Sequence, residues 1–273
     1  MKRVHIVLLL AVASCASAQE AGDKLKVAFR DPSRPGTVKI SVLNGSVTVK
    51  GYSGHEVLVE SVPRRGEDEN DRRSTKDSSG LKRIYAPNSR LSVEEENNVM
   101  RIDVQSHRGG ADVTLQVPLR TSLNLRSTNG GAITVENVQG DIEVNNTNGA
   151  VVLKNIAGSV VAHALNGGLT ASVRELDANK PISFSSLNGE IDVTLPASLK
   201  ANLNLQSSHG EIFSDFDVVL TATAPKVEET KREQGRGRYR ISTGRGMVGK
   251  VNGGGQDMTF KTMNGNIYIR KAK

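Results

Sequence analysis

The pair Asn-Gly, followed each time by alternating aliphatic residues, returns along the second half of the chain at Asn129, Asn148, Asn166 and Asn188, and His209-Gly210 takes the same place once more. The steps between them are 19, 18, 22 and 21 residues. Read from each corner, the units are NGGAITVENVQGDIEVNNT, NGAVVLKNIAGSVVAHAL, NGGLTASVRELDANKPISFSSL, NGEIDVTLPASLKANLNLQSS and HGEIFSDF. The same phrase opens the chain at Asn44 (NGSVTVKGYSGHEVLVE) and closes it at Asn264 (NGNIYIRK). Within a unit two period-2 runs flank a Gly-centred turn, as in Ile133 and Val135, then Gly140, then Ile142 and Val144. That alternation predicts half-buried strands.

A unit of this length cannot bury its apolar face alone, so neighbouring units must stack and share an interior. The expected fold is all-β: a parallel β-solenoid, or β-helix, of coils of about 20 residues, in a single domain over residues 25–273. At the usual strand spacing of about 4.8 Å each Asn lies over the next, where the amides can link in a ladder. The Gly after it is expected to supply positive φ. An antiparallel β-sandwich, with each Asn-Gly as a type I′ hairpin turn, is the alternative; the coil-like step with a constant apolar register favours the solenoid. Ile133, Val135, Val151, Leu153, Ile191, Val193 and Ile212 are the predicted inward positions. With no Trp, four Tyr and five Phe, the core must be made of Val, Ile, Leu and Ala, which suits thin repeated layers.

A second echo relates DVTLQVPLRTSLNLRSTNG (Asp112–Gly130) to DVTLPASLKANLNLQSSHG (Asp192–Gly210), and it reads as tandem growth. Two charged insertions interrupt the pattern, at about 63–83 and 222–238; in the second, Lys226–Gln234 is expected to form a short helical turn.

The phrase VPLRTSLNLRSTNGGAITVENVQGDIEVNNTNG, with LNGEIDV and the terminal MNGNIYI, resembles the bacterial putative-adhesin family, a domain of unknown function akin to autotransporter-type adhesin head domains. The resemblance covers roughly Leu43 to Lys273 and lies in the grammar of the repeat. It implies a β-helical envelope or surface protein and transfers no catalytic residue.

Residues 1–18 read as a secretory signal: Lys2 and Arg3, an apolar stretch from Val4 to Ala13, then Ala16-Ser17-Ala18 before cleavage at Gln19. Val12-Ala13-Ser14-Cys15 also fits a lipoprotein signal in which Cys15 is acylated, the alternative to cleavage after Ala18. The expected address is therefore export, to the periplasm, the cell surface or the medium, with lipid anchoring only through Cys15. As the sole cysteine, Cys15 leaves no disulfide or thiol chemistry to the rest of the chain.

Chemical motifs are weak. Gly244-Arg245-Gly246-Met247-Val248-Gly249 matches G-x-G-x-x-G but is followed by Lys250-Val251-Asn252-Gly253, which cannot open a helix, so a corner loop is the better reading. Glu190 and Glu211 follow Gly189 and Gly210 on what read as successive coils, about 4.8 Å apart, the spacing of a retaining glycosidase pair; exposed corner acids explain them better. His55, His107, His163 and His209 stand singly without metal-ligand spacing, and His209 reads as a corner substitute for Asn. No catalytic residue, cofactor or metal is expected.

Charge is asymmetric. The chain carries 36 Lys and Arg against 29 Asp and Glu, a net of +7, and from Lys226 to Lys273 there are 12 bases against four acids. Arg236, Arg238, Arg240, Arg245 and Lys250, interleaved with glycines, are the candidate contacts for an anionic ligand: envelope polymer or lipid headgroups rather than nucleic acid. The functional expectation is a non-enzymatic exported scaffold or adhesin-like module. A polysaccharide-acting β-helix enzyme and an envelope-stress or signalling accessory are the alternatives.

Overall fold

The computed structural model describes residues 23–64, 89–106, 110–177, 179–221, 226–230, 238–242 and 246–273. The first parallel coil in the sequence, turning at Asn44, lies in the second layer of the stack, not the first. β1 (Asp23–Ala28) leads into β2 (Gly36–Asn44) and β3 (Val47–Tyr52), which meet at the Asn44 corner. β4 (Glu56–Pro63) and β5 (Ser89–Glu96) follow, then β6 (Val99–Ser106) and β7 (Ala111–Pro118), which form the outermost coil at this end. Only then does the chain pass back over the Asn44 coil to β8 (Thr121–Asn129) and β9 (Ile133–Glu136).

From there three more coils stack in sequence order. β10 (Ile142–Asn148) and β11 (Val151–Gly158), β12 (Val160–Ala164) and β13 (Leu169–Leu176), and β14 (Ile182–Asn188) and β15 (Ile191–Leu195) each meet at an Asn-Gly corner. Every pair between these coils is parallel, and the ladder through β8, β10, β12 and β14 keeps one register, with Ile142 opposite Leu123, Val160 opposite Ile142 and Ile182 opposite Val160; the β11–β13 ladder shifts register after Leu153. The period-2 pattern dictates this, since a slip by one residue would turn every apolar side chain to solvent.

A second jump mirrors the first. β16 (Ala201–Ser207) and β17 (Ile212–Ser214) form the outermost coil at the far end, and after β18 (Val218–Thr221), β19 (Lys226–Thr230), β20 (Arg238–Ser242) and β21 (Gly246–Val251) the chain returns. It lays β22 (Gln256–Asn264) and β23 (Ile267–Lys271) between the Asn188 coil and the outermost one. The first and last units of the sequence are thus intercalated one layer in from each end. The echo between Asp112–Gly130 and Asp192–Gly210 covers these two jumps, from β7 to β8 and from β15 to β16. Each jump spans two strand spacings, about 9.5 Å, and each contains a proline, Pro118 or Pro196, which cannot donate to a ladder.

The all-β parallel solenoid is therefore present, and antiparallel pairing within its two large sheets is confined to their ends. β4 pairs antiparallel with β7 and β1 with β4, β5 pairs with β6, and β21 pairs with β16 and β18 with β21. No Asn-Gly pair is a hairpin turn; the tight hairpin lies at Asn97-Asn98, both at positive φ (55° and 61°), between β5 and β6. The antiparallel strands cover what would otherwise be long parallel edges.

Inside, Ile133, Val135, Val151, Leu153, Ile191 and Val193 are fully buried, whereas Ile212 is half-buried because β17 is the last strand of its sheet. Phe184 and Phe260 stack in the core with centroids 5.4 Å apart.

The corner repeats because three requirements meet there. Nδ2 of Asn148 donates to Oδ1 of Asn129 (3.0 Å), Asn166 to Asn148 (2.8 Å), Asn188 to Asn166 (2.8 Å) and Asn264 to Asn188 (2.7 Å). The positive φ expected from sequence is found at Gly45 (149°), Gly130 (82°) and Gly265 (158°), whereas Gly149, Gly167, Gly189 and Gly210 lie outside that region and are needed for closeness. A Cβ on any of these four would fall 2.0–2.2 Å from a carbonyl oxygen of the adjacent coil. Gly130 is the extra residue of Asn129-Gly130-Gly131, and Gly131 takes the stacked place. Two residues before the corner, an inward polar side chain donates to a glycine carbonyl next door. Ser127 reaches Gly45, Asn146 reaches Gly131, Ser186 reaches Gly167, Thr262 reaches Gly189 and Ser207 reaches Gly265, at 2.9–3.0 Å.

Candidate functional site

Of the anion-contact residues expected from sequence, Lys250 lies exposed on β21, where Asn202 of β16 and Val219 of β18 flank it. Arg238 and Arg240 lie on β20, opposite Thr230 and Glu228 of β19. Arg236 and Arg245 fall outside the described residues, as does the lipidation candidate Cys15. The helical turn expected at Lys226–Gln234 is not what forms: Lys226–Thr230 is a strand, because Val227 and Ile241 can pair across an antiparallel ladder. Gly246–Val251, the second half of the glycine-rich motif, is likewise strand rather than corner loop.

The expected carboxylate pair is corrected. Glu190 and Glu211 are not on successive coils, because the Asn264 coil is inserted between them. Asn266 occupies the intervening place, with its carbonyl accepting from Ile191 N and its Oδ1 accepting from Glu211 N (3.0 Å). The two acids are therefore about two strand spacings apart, roughly 9.5 Å, too far for a retaining pair. His163 bonds Ser185 Oγ through Nδ1 at 2.8 Å, one outward ladder position to the next. His107 lies outside the described residues.

Sequence reading missed a cleft at the edge opposite the Asn ladder. Three connections that leave the solenoid pattern converge there: Phe29–Gly36, entering β2; Tyr52–His55, where β3 departs to β4; and Pro118–Thr121, the first jump. The cleft encloses about 390 Å³ and opens to solvent. Phe29 forms part of its floor, buried and set so close under Gly36 that a Cβ there would fall 2.4 Å from the ring. Tyr52 is held by its hydroxyl, which donates to the Glu56 carbonyl (2.7 Å). Arg34 is tied to Asp31 (Nε to Oδ2, 2.8 Å), and the Asp31 carboxylate also accepts from Ser33 N and Oγ. Those Ser33 bonds are the chief reason that the Asp31 carboxyl is held below its ordinary pKa. Arg120 and His55 are exposed at the rim, and among the described residues no carboxylate pairs with Arg120. The signal in the sequence was the irregular VPLRT against the regular repeat, but its partners lie 66 and 89 positions away, from Pro118 back to Tyr52 and to Phe29.

Among the described residues, no group of three or more His, Cys, Asp and Glu side chains is placed to hold a metal ion, and no helix is long and apolar enough to cross a membrane.

The chain matches the family model described as Toastrack DUF4097 over residues 36–270. A solved structure described as a putative cell adhesion protein from Clostridium sporogenes ATCC 15579 aligns with 92% of this chain and 100% of its own, at 8% identity and a TM-score of 0.48. A putative adhesin from Bacteroides fragilis NCTC 9343 aligns with 93% of this chain and 98% of its own, at 9% identity and a TM-score of 0.31. Comparison with curated proteins finds no match.

Proposed function

Taking as premise that this chain belongs to the Toastrack DUF4097 family, we propose that it is a non-enzymatic exported surface module, an adhesin-like scaffold that contacts anionic envelope polymer or lipid headgroups. The observation that carries this reading is the regularity of the stack. Outward side chains repeat from coil to coil and are tied across them: Lys154 to Glu136 (3.0 Å), Arg270 to Asp192 (2.7 Å), and the four links of the Asn ladder. A frame of this kind holds surface groups at fixed spacing without needing to move, which suits repeated contacts with a polymer. The charge excess of Lys226–Lys273 supports an anionic partner.

Export followed by signal cleavage after Ala18 belongs to the same proposal, with acylation at Cys15 as the competing route. The contact itself is assigned to Arg236, Arg238, Arg240, Arg245 and Lys250. Retention on anionic liposomes, lipopolysaccharide and acidic polysaccharide is measured for the wild-type protein and for a variant with these five residues changed to Gln. Retention that falls steeply between about 0.1 M and 1 M salt, as the Debye length shrinks from about 10 Å to about 3 Å, and that the variant lacks, is the expected result. Equal retention of both proteins, or retention indifferent to salt, overturns the assignment.

A further inference from the structure

The two jumps of the chain are built alike in sequence, yet they end differently. In the second, Lys200 occupies the place that Arg120 holds in the first, and the loop Asn252–Gly255 packs over it. Asn252 Nδ2 donates to Leu199 O (2.7 Å), and a Cβ on Gly255 would fall 2.4 Å from Lys200 O. That jump is closed. At the first jump the corresponding space is the cleft of about 390 Å³, within the size range of small-molecule sites.

Its lining has a definite chemistry. Rings make up much of its apolar lining: Phe29, Tyr52, Pro32, Pro35 and Pro118. Among the described residues, the ionisable groups in the lining apart from Tyr52 are all basic, namely Arg34, His55 and Arg120, with no carboxylate among them. Arg34 already has Asp31, so the guanidinium left to a ligand is that of Arg120. The ring of Tyr52 and the floor at Phe29 are fixed by their own contacts, so little ordering remains to be done on binding.

We infer that this cleft binds an acidic sugar residue of a glycan, with the carboxylate paired to Arg120 and the apolar face of the ring against Tyr52 and the proline rings. A planar guanidinium makes two-point contacts with a carboxylate, and an aromatic face covers the C–H side of a pyranose while polar groups at the rim meet its hydroxyls. One guanidinium unpaired among the described residues matches one negative charge per sugar residue, and an open mouth lets a polymer enter and leave. The inference takes its ligand class from the proposed contact with anionic envelope polymer, but its site is at the other end of the stack from β21.

The test is titration of the full-length protein with hexagalacturonate, followed by calorimetry and by NMR shifts of Tyr52, His55 and Gln139. Saturable binding that moves these signals is expected, weakened at least tenfold by Arg120→Gln and abolished when the probe is the fully methyl-esterified hexamer. The variant with five Gln in the basic segment should bind the hexamer as wild type does, even if it no longer adheres to liposomes, which separates this site from the basic strands. No shift at Tyr52 and His55, equal affinity of Arg120→Gln, equal affinity for the methyl ester, or equal affinity for inorganic phosphate would each overturn the inference. Arg120 is exposed and unpaired among the described residues, so its replacement should leave the melting temperature unchanged.

Discussion

Gly149 sits so close to Gly131 of the neighbouring coil that a Cβ on it would be 2.1 Å from the Gly131 carbonyl oxygen, a separation no side chain tolerates. The coils can stack at strand spacing through the corner only because both positions lack side chains. Gly149→Ala should therefore cost roughly 3 kcal/mol, toward the upper end of overpacking penalties. Asn148→Ala removes two exposed amide links, to Asn129 and Asn166, and should cost only about 1 kcal/mol. Urea denaturation of the two variants gives the order directly, and an alanine at 149 milder than one at 148 would contradict the packing account.

The inward polar series has a natural gap at Ala164, which is buried between Asn146 and Ser186 in the ladder. Ala164→Ser should supply the missing donor toward the Gly149 carbonyl and stabilise by up to about 1 kcal/mol, while Thr262→Val, which loses the bond to Gly189, should cost about the same. Thermal melts of both variants check the two signs.

Val135 is fully buried, opposite Val49 on one side and Leu153 on the other. Val135→Asp places a carboxylate where no polar partner exists and should destabilise by more than about 4 kcal/mol. Loss of a cooperative unfolding transition is the expected observation, with Val135→Ala showing a smaller, measurable drop.

Acid should loosen the first coils. Burial opposes the Asp112 carboxylate, but bonds from Arg64 (2.7–3.0 Å) and Ser46 (2.5–2.8 Å) outweigh it, so its pKa lies below the ordinary 3.8. A depressed carboxylate contributes stability that is complete above its unfolded pKa and is lost as pH falls through the folded value, so the loss begins near pH 3.8 and continues below it. Arg64→Gln should flatten this dependence between pH 5 and pH 2 in denaturation midpoints; an unchanged slope would assign the acid sensitivity to other groups.

The N-terminus is checked by mass spectrometry of the protein recovered from its producing cell. A chain beginning at Gln19 is expected, free of cysteine. A diacyl or triacyl mass on Cys15 would instead place the solenoid on a membrane surface.

What the sequence determined by itself was everything that repeats. Alternation fixes which side chain faces inward, and the Asn-Gly step fixes where each coil turns, because both follow from a residue's immediate neighbours and from the demand that one coil fit the next. Even the second ladder, Asn155 to Asn137 (2.7 Å, both at positive φ), was written in the parallel phrases VENVQG and LKNIAG. What only the tertiary structure decided was the order of the coils. Any Asn-Gly coil can pair with any other, since the pairing surfaces are nearly equivalent, so nothing local says that the Asn44 and Asn264 coils slip in one layer from the ends. That order separated Glu190 from Glu211, gave the Asp112–Gly130 echo its meaning as a jump, and brought Phe29, Tyr52 and Arg120 around one cleft. Such a site is long-range by construction, because its walls are the three connections at which the repeat is broken.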